Sequence, residues 1–215
     1  MFDIDLNRYR LIDLSYEVVP PGSDDRPFVV ERGLLADLAY KYDVSKTHTH
    51  VGTHVEAPAH FFDDGKSITD LPLTHFFGRA ILLSVKLEPG QRTITPEYLE
   101  AAIGDICRPG DVVVARNDTP RQPGVRGPFF GPGAGEWLAD HRVKMLVLGS
   151  GLGMGDSLEA TRHFHDVLQS KDLCFVEFLS NLEAISRREF FFMALPFRVR
   201  GMDSGWARAI AIEER

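Results

Sequence analysis

Four of the eight histidines fall within Thr47–Phe62, T-H-T-H-V-G-T-H-V-E-A-P-A-H-F-F, together with one glutamate. Neutral imidazole and carboxylate are the side chains that bind borderline first-row cations. His50, His54, Glu56 and His60, four such groups within eleven residues, therefore read as a metal site. A histidine-rich loop that binds nothing is the bland alternative, and four donors at this spacing weigh against it. Further along, His163 and His165 lie on a candidate helix. Glu177 interrupts an otherwise apolar run, C-F-V-E-F-L, where a carboxylate is costly to bury unless it is paired or bound to a metal. An edge strand with Glu177 in solvent remains the competing reading.

Backbone chemistry narrows what the cluster can be. H-x-x-x-H on a helix, with glutamate after the first histidine, is the zinc-protease signature, but Val51 occupies that position here. Val51, Gly52, Thr53 and Val55 disfavour helix, and Pro58 pushes Ala57 out of the helical region while removing a backbone donor. His48-Thr49-His50 followed by Glu56 approximates the cupin pattern, and Arg108-Pro109-Gly110-Asp111 resembles the second cupin turn. No histidine follows that turn at ligand distance, which demotes this reading and the iron or manganese it implies. The run Gly149–Gly155 follows an apolar stretch, yet Met154 and Asp156 stand where G-x-G-x-x-G needs its last glycine, so a close-packed turn is expected instead of a dinucleotide loop. Nor does it contain G-x-S-x-G, so a serine-hydrolase elbow has no support.

The elements that must bring these residues together alternate in type. Arg10–Val19 reads as a strand ended by Pro20-Pro21-Gly22, and residues 28–39 fit neither helix nor strand pattern clearly. Arg79–Leu87, Val112–Ala115, Val143–Leu148, Cys174–Leu179, Phe190–Val199 and Arg208–Ile212 follow as strands. Thr95-Pro96 opens a short helix to about Ile103, Gly135–His141 a second, and Leu158–Ser170 a third. Pro and Gly crowd Pro120–Gly135, a long irregular loop of the kind that lines sites. No repeat or linker divides the chain, so residues 1–215 are expected to form one α/β (mixed α+β) layered domain around a central mixed β-sheet.

A formal net charge of −7 with scattered Lys and Arg argues against nucleic-acid or anionic-membrane binding. The opening M-F-D-I-D-L-N-R-Y-R lacks the apolar core of a signal peptide, and no apolar run approaches a membrane span. Cys107 and Cys174 have no C-x-x-C partner and read as reduced thiols, so a cytoplasmic location is expected.

The motif His50-Val-Gly-Thr-His54-Val-Glu56-Ala-Pro58-Ala-His60 resembles the H-x-G-T-H-x-D-x-P-x-H signature of the cyclase-like metal-dependent hydrolases, which include bacterial kynurenine formamidases and isatin hydrolase. The likeness extends through I-D-L-S-Y near the start, His165 followed twelve residues later by Glu177, and the closing A-L-P-F-R-V-R-G-M-D-S-G-W-A-R-A. The resemblance implies a mixed α/β fold and a homodimer or homotetramer acting on a small-molecule substrate. It implies one or two zinc ions, with manganese as the alternative: His50, His54 and Glu56 on the first metal, Glu56 and Glu177 bridging, His165 on the second. His60 would be the acid/base in hydrolysis of a small amide, a formamide or a lactam. A member that binds metal or ligand without turnover, and a lactone or ester hydrolase, are the alternatives. The chain departs from the family at Glu56, where aspartate is usual, at Pro20, where kynurenine formamidases carry tryptophan, and at the strand ends Arg116–Asp118 and Gly149–Ser157.

Overall fold

The computed structural model describes residues 5–36, 38–121 and 123–215. Met1 to Ile4 of the opening segment, Asp37 of the 28–39 segment and Gln122 of the long loop lie outside the described residues. In chain order the strands are β1 (Tyr9–Asp13), β2 (Val29–Leu35), β3 (Ala39–Ser45), β4 (His54–Glu56), β5 (Phe77–Val85), β6 (Thr93–Ile94), β7 (Val112–Asn117), β8 (Phe129–Phe130), β9 (Met145–Leu148), β10 (Cys174–Glu177), β11 (Glu189–Pro196) and β12 (Ser204–Glu214). Helices α1 (Pro96–Leu99), α2 (Ala134–Asp140) and α3 (Leu158–Gln169) accompany them, α1 continuing into a π-helical turn, Glu100–Gly104.

Eight strands form one mixed sheet in the order β1-β12-β11-β5-β7-β9-β10-β4. Because β12 pairs over Ser204–Trp206 with β4 as well, the sheet closes into a barrel. Strands β5, β7, β9 and β10 run parallel. Their runs Val112–Ala115 and Met145–Val147 are wholly buried, as expected for strands covered on both faces. One core fills the barrel, with Val55, Val114, Val147, Val176, Phe192 and Ala211 among its members. A second lies outside it, where Ile81, Val113, Leu146 and Phe175 meet Leu99, Leu138, Phe164 and Leu168 of the helical layer.

Most of the expected elements are present with shifted ends. The first strand stops at Asp13 instead of Val19, because beyond it the chain makes only an isolated bridge, Ser15 to Leu179, before the Pro20-Pro21 turn. Of the 28–39 segment, Val29–Leu35 forms β2 and Ala39 begins β3, and the two strands pair along their length as a hairpin. The last strand begins four residues earlier than expected, at Ser204, where pairing with β4 extends it. Thr95 caps α1, its hydroxyl accepting from Tyr98 N–H at 3.2 Å, and Ser157 caps α3 through Ala160 N–H at 3.1 Å.

Candidate metal centre

Strand alternation puts the donors of β4 on one face. Val55 points into the barrel core, so His54 and Glu56 point outward. The register sets Glu177 of β10 opposite His54, and Phe175 and Ser204 opposite Glu56. All three β4 residues are buried.

The approach to β4 is built around Gly52. Its φ of +68° lies in the left-handed region, and a Cβ there would come within 2.4 Å of Val18 Cγ2. That bend turns His50 back beside His54, ring centres 4.9 Å apart, and presents the Gly52 carbonyl to His54 Nδ1 at 2.8 Å. With Nδ1 donating, Nε2 of a neutral His54 carries the lone pair. Thr53 Oγ1 accepts from Tyr16 N–H (2.7 Å) and donates to the Phe178 carbonyl (2.6 Å), fastening the turn to the end of β10. The Arg26 guanidinium donates to the His50 carbonyl and lies 4.2 Å from the centre of the Phe178 ring.

After β4, Pro58 opens a 3₁₀ turn, Pro58–His60, that brings His60 over the same face. Asp203 completes the group. Its backbone carbonyl receives Ala57 N–H at 2.8 Å, and its Oδ2 lies 2.8 Å from His60 Nδ1.

Two overlapping sets of donors result among the described residues, each with its ligand atoms within 4.8 Å of one another: half-buried His50 with buried His54 and Glu56, and half-buried His50, His60 and Asp203. Glu56 Oε1 is 3.3 Å from both His50 Nε2 and His54 Nε2, and 3.8 Å from His60 Nε2. Ligand bonds of about 2.1 Å in tetrahedral geometry require donor separations of ~3.4 Å, so the first set already has the spacing of a coordination shell. His50 Nε2 and Glu56 Oε2 are buried without hydrogen-bond partners, which is costly unless a cation is shared among them.

The charges point the same way. Burial lowers the His50 imidazole. Burial would lower His54 too, but the Glu56 carboxylate beside it and the Gly52 carbonyl outweigh that and raise it, while Glu56, which burial would raise, is held down by the three imidazoles. Burial, and then the Glu56 charge, push the Glu177 carboxyl up to about 7. Asp203, despite the burial that would raise it, is held low by its bond to His60. Buried carboxylates facing each other across imidazoles form the kind of environment that a divalent cation relieves.

Among the described residues, neither Glu177 nor His165 joins these two sets. His165 lies on the buried side of α3 with Phe164 and Leu168. Its Nδ1 meets the Thr161 carbonyl at 2.7 Å, and its ring stacks on Phe61 (4.2 Å between centres) against Phe175 (4.8 Å). Glu56 is near enough for its charge to act on both. His163 is exposed and meets Glu136 at 3.0 Å, and His141 stacks on Trp137. Asp203 is the site residue that sequence reasoning missed. It belongs to the closing motif, but nothing local marks an aspartate 143 residues from its histidine as a partner.

The family described as a putative cyclase matches residues 12–150. The kynurenine formamidase of Erythrobacter litoralis is 26% identical over 213 residues, covering 95% of this chain and 94% of that protein. Isatin hydrolase A from Ralstonia solanacearum superposes with a TM-score of 0.79 at 21% identity, over 97% of this chain and 93% of the other. A structure described as a potential metal-dependent hydrolase with cyclase activity gives 0.71 at 20%, over 96% and 99%.

Proposed function

The chain belongs to the cyclase family, and from that premise we propose that it is a metal-dependent hydrolase of a small amide, a formamide or a lactam. The observation that carries this reading is the single oxygen, Glu56 Oε1, standing 3.3 Å from two histidine nitrogens with His60 and Asp203 alongside. His50, His54 and Glu56 would hold the ion, zinc or manganese, and Glu177 and His165, whose charges Glu56 acts on, would be the added ligands of a second ion. Such an ion supplies Lewis-acid polarisation of the carbonyl and a water acidified to a pKa of about 7.

The protein's own contribution to the chemistry centres on His60. Asp203 holds Nδ1 and so fixes both tautomer and ring orientation, leaving Nε2 toward the donor cluster. His60 Nε2 accepts a proton from the attacking water and returns it to the departing nitrogen, so that the amine leaves neutral. Phe61 and Phe178 supply apolar surface beside the histidines. The relative named for kynurenine formamidase supports an aryl formamide as one substrate class.

The second donor set favours a rival role, with His60 and Asp203 as ligands instead of proton carriers. His60→Ala decides between them: retained metal stoichiometry with turnover lowered by about 10²–10⁴ supports the proton carrier, and lost metal supports the ligand. His54→Ala is expected to lose both. The substrate panel is N-formylkynurenine, isatin, simple esters and lactones, tested on protein whose metal content has been measured. Silence across it with metal fully bound overturns the hydrolase and leaves a binding protein of the same fold.

The reading includes a homodimer or homotetramer, supported by the β2–β3 hairpin. Its register places Val30 beside Val44, Arg32 beside Tyr42 and Leu34 beside Tyr40 on one face, with the Arg32 guanidinium 3.5 Å from the centre of the Tyr40 ring. Leu34, Tyr40, Tyr42 and Val44 are 54%, 67%, 61% and 46% exposed. With up to ~200 Å² per large side chain, that face offers on the order of 500 Å², much of the about 800 Å² per partner in a standard interface. Among the described residues no helix is long and apolar enough to cross a membrane. Cys107 and Cys174 are free thiols, which supports a reducing compartment, the cytoplasm.

A further inference from the structure

A second cleft lies outside the carboxyl ends of parallel strands β5 and β7 and the turn after β9. It encloses about 960 Å³, between the turn that follows β5 and the Pro- and Gly-rich loop that follows β7. Ends of parallel strands are where α/β sheets hold ligands, because successive connections diverge there and leave a crevice. None of the cleft's lining residues belongs to the histidine cluster.

Its charge runs against that of the molecule. In a chain of formal net charge −7, the lining contains Lys86, Arg92, Arg121 and Arg126 against one carboxylate, Glu88. Lys86, Arg121 and Arg126 form no ion pair among the described residues; the Asp118 carboxylate, which feels the charge of Lys86, is paired with Arg116. Arg92 is fixed in place. Its Nε donates to the Arg126 carbonyl at 2.9 Å and its Nη2 to the Gly127 carbonyl at 3.3 Å, with the guanidinium 5.3 Å from the centre of the Phe129 ring. The loop carrying Arg121 and Arg126 is pinned where Gly127 meets Gly151: a Cβ on Gly127 would lie 1.9 Å from the Gly151 carbonyl oxygen. This contact accounts for glycine at position 127; in the G-S-G-L-G run, a Cβ on Gly149 would lie 2.5 Å from the Ala115 carbonyl oxygen, and Gly151 has a φ of +80°. Asn117 and Ser150 add hydrogen-bonding groups to the lining.

We propose that this cleft is a binding site for a small organic anion carrying two or more negative charges, a dicarboxylate or a phosphate ester, held by Arg121, Arg126 and Lys86. Unpaired guanidinium groups suit carboxylate and phosphate oxygens through paired N–H donors, and the fixed backbone around Gly127 limits the ordering needed on binding. Collecting cations without partners costs self-repulsion, which a bound anion relieves.

Isothermal titration of the purified, metal-loaded protein with terephthalate and with glucose 6-phosphate tests this. Neither probe chelates strongly, and the two separate the carboxylate from the phosphate source. Saturable 1:1 binding is expected, weakening several-fold between 50 and 200 mM salt. It is expected to weaken at least tenfold in Arg121→Gln/Arg126→Gln, two exposed positions whose replacement leaves the unfolding midpoint unchanged, and to persist after metal is removed. No saturable binding of either probe overturns the proposal, as does binding unaffected by the double substitution. Binding lost with the metal assigns the anion to the histidine centre and equally overturns it. Because metal-free protein is one arm, the result stands apart from whether the histidine centre hydrolyses amides.

Discussion

Gly52→Ala tests the link between backbone and site most directly. At φ +68° an L-residue pays about 1–2 kcal/mol for the left-handed conformation. The new methyl would sit 2.4 Å from Val18 Cγ2, a contact that must be relieved by moving Val18 or the turn. Shifting a half-buried valine off its rotamer adds about 1 kcal/mol, so a total loss of about 2–3 kcal/mol is expected in urea unfolding. Val18→Ala in the same molecule removes the contact but not the dihedral cost, and the double variant is expected to recover about 1 kcal/mol relative to Gly52→Ala. The site registers the same change, because the Gly52 carbonyl orients His54 through Nδ1. Loss of that orientation is expected to weaken metal binding about 10–100-fold, measured by competition with a chromogenic chelator. A Gly52→Ala protein within 0.5 kcal/mol of the parent and with unchanged metal affinity would refute the argument.

Glu213 gives a pH-dependent counterpart away from the site. Burial would raise its carboxyl, but N–H donors from Arg187 and Ser186 at 2.8 and 2.7 Å, and the Ser186 hydroxyl at 2.9 Å, hold it below the ordinary range. A depressed folded value means stability that is present above the unfolded pKa of about 4.3 and lost as pH falls through the folded value. Glu213→Gln is therefore expected to cost about 2 kcal/mol at pH 7 and progressively less as pH falls below about 4.3; a loss that does not shrink with falling pH in urea unfolding contradicts it. For the hairpin, Tyr40→Glu/Tyr42→Glu is expected to convert an oligomer to monomer by light scattering, and a monomeric parent protein rules the interface out.

The sequence carried the chemistry of the site better than its architecture. His50, His54 and Glu56, close together in sequence, are also close in the structure, whereas Glu177, singled out as a carboxylate in C-F-V-E-F-L, stands opposite His54 but outside both donor sets among the described residues. The central strands were legible because burial on both faces leaves unbroken apolar runs such as Val112–Ala115. Pro58 and the Thr/Val-rich segment correctly kept His50 and His54 off a helix. Strand β4, at three residues, is too short for any periodic signal. The barrel closure escaped as well, since it depends on pairing of Ser204–Trp206 with β4 across about 150 residues, which no local pattern encodes. Asp203 was hidden for the same reason. The hairpin escaped because its apolar residues Leu34, Tyr40, Tyr42 and Val44 stay exposed, so its pattern lacked the usual core to match.

The pairing of β12 with β4 also sets an order of events during synthesis. His60 leaves the ribosome 143 residues before Asp203. At 5–20 residues per second, that is roughly 7–30 s in which the histidines and Glu56 are available without their oriented partner or the last staves of the barrel. A nascent chain therefore offers its imidazoles and Glu56 first, to whatever ion the surrounding pool supplies most freely. The geometric filter that could discriminate among metals arrives only once Asp203 has been made, 143 residues after His60.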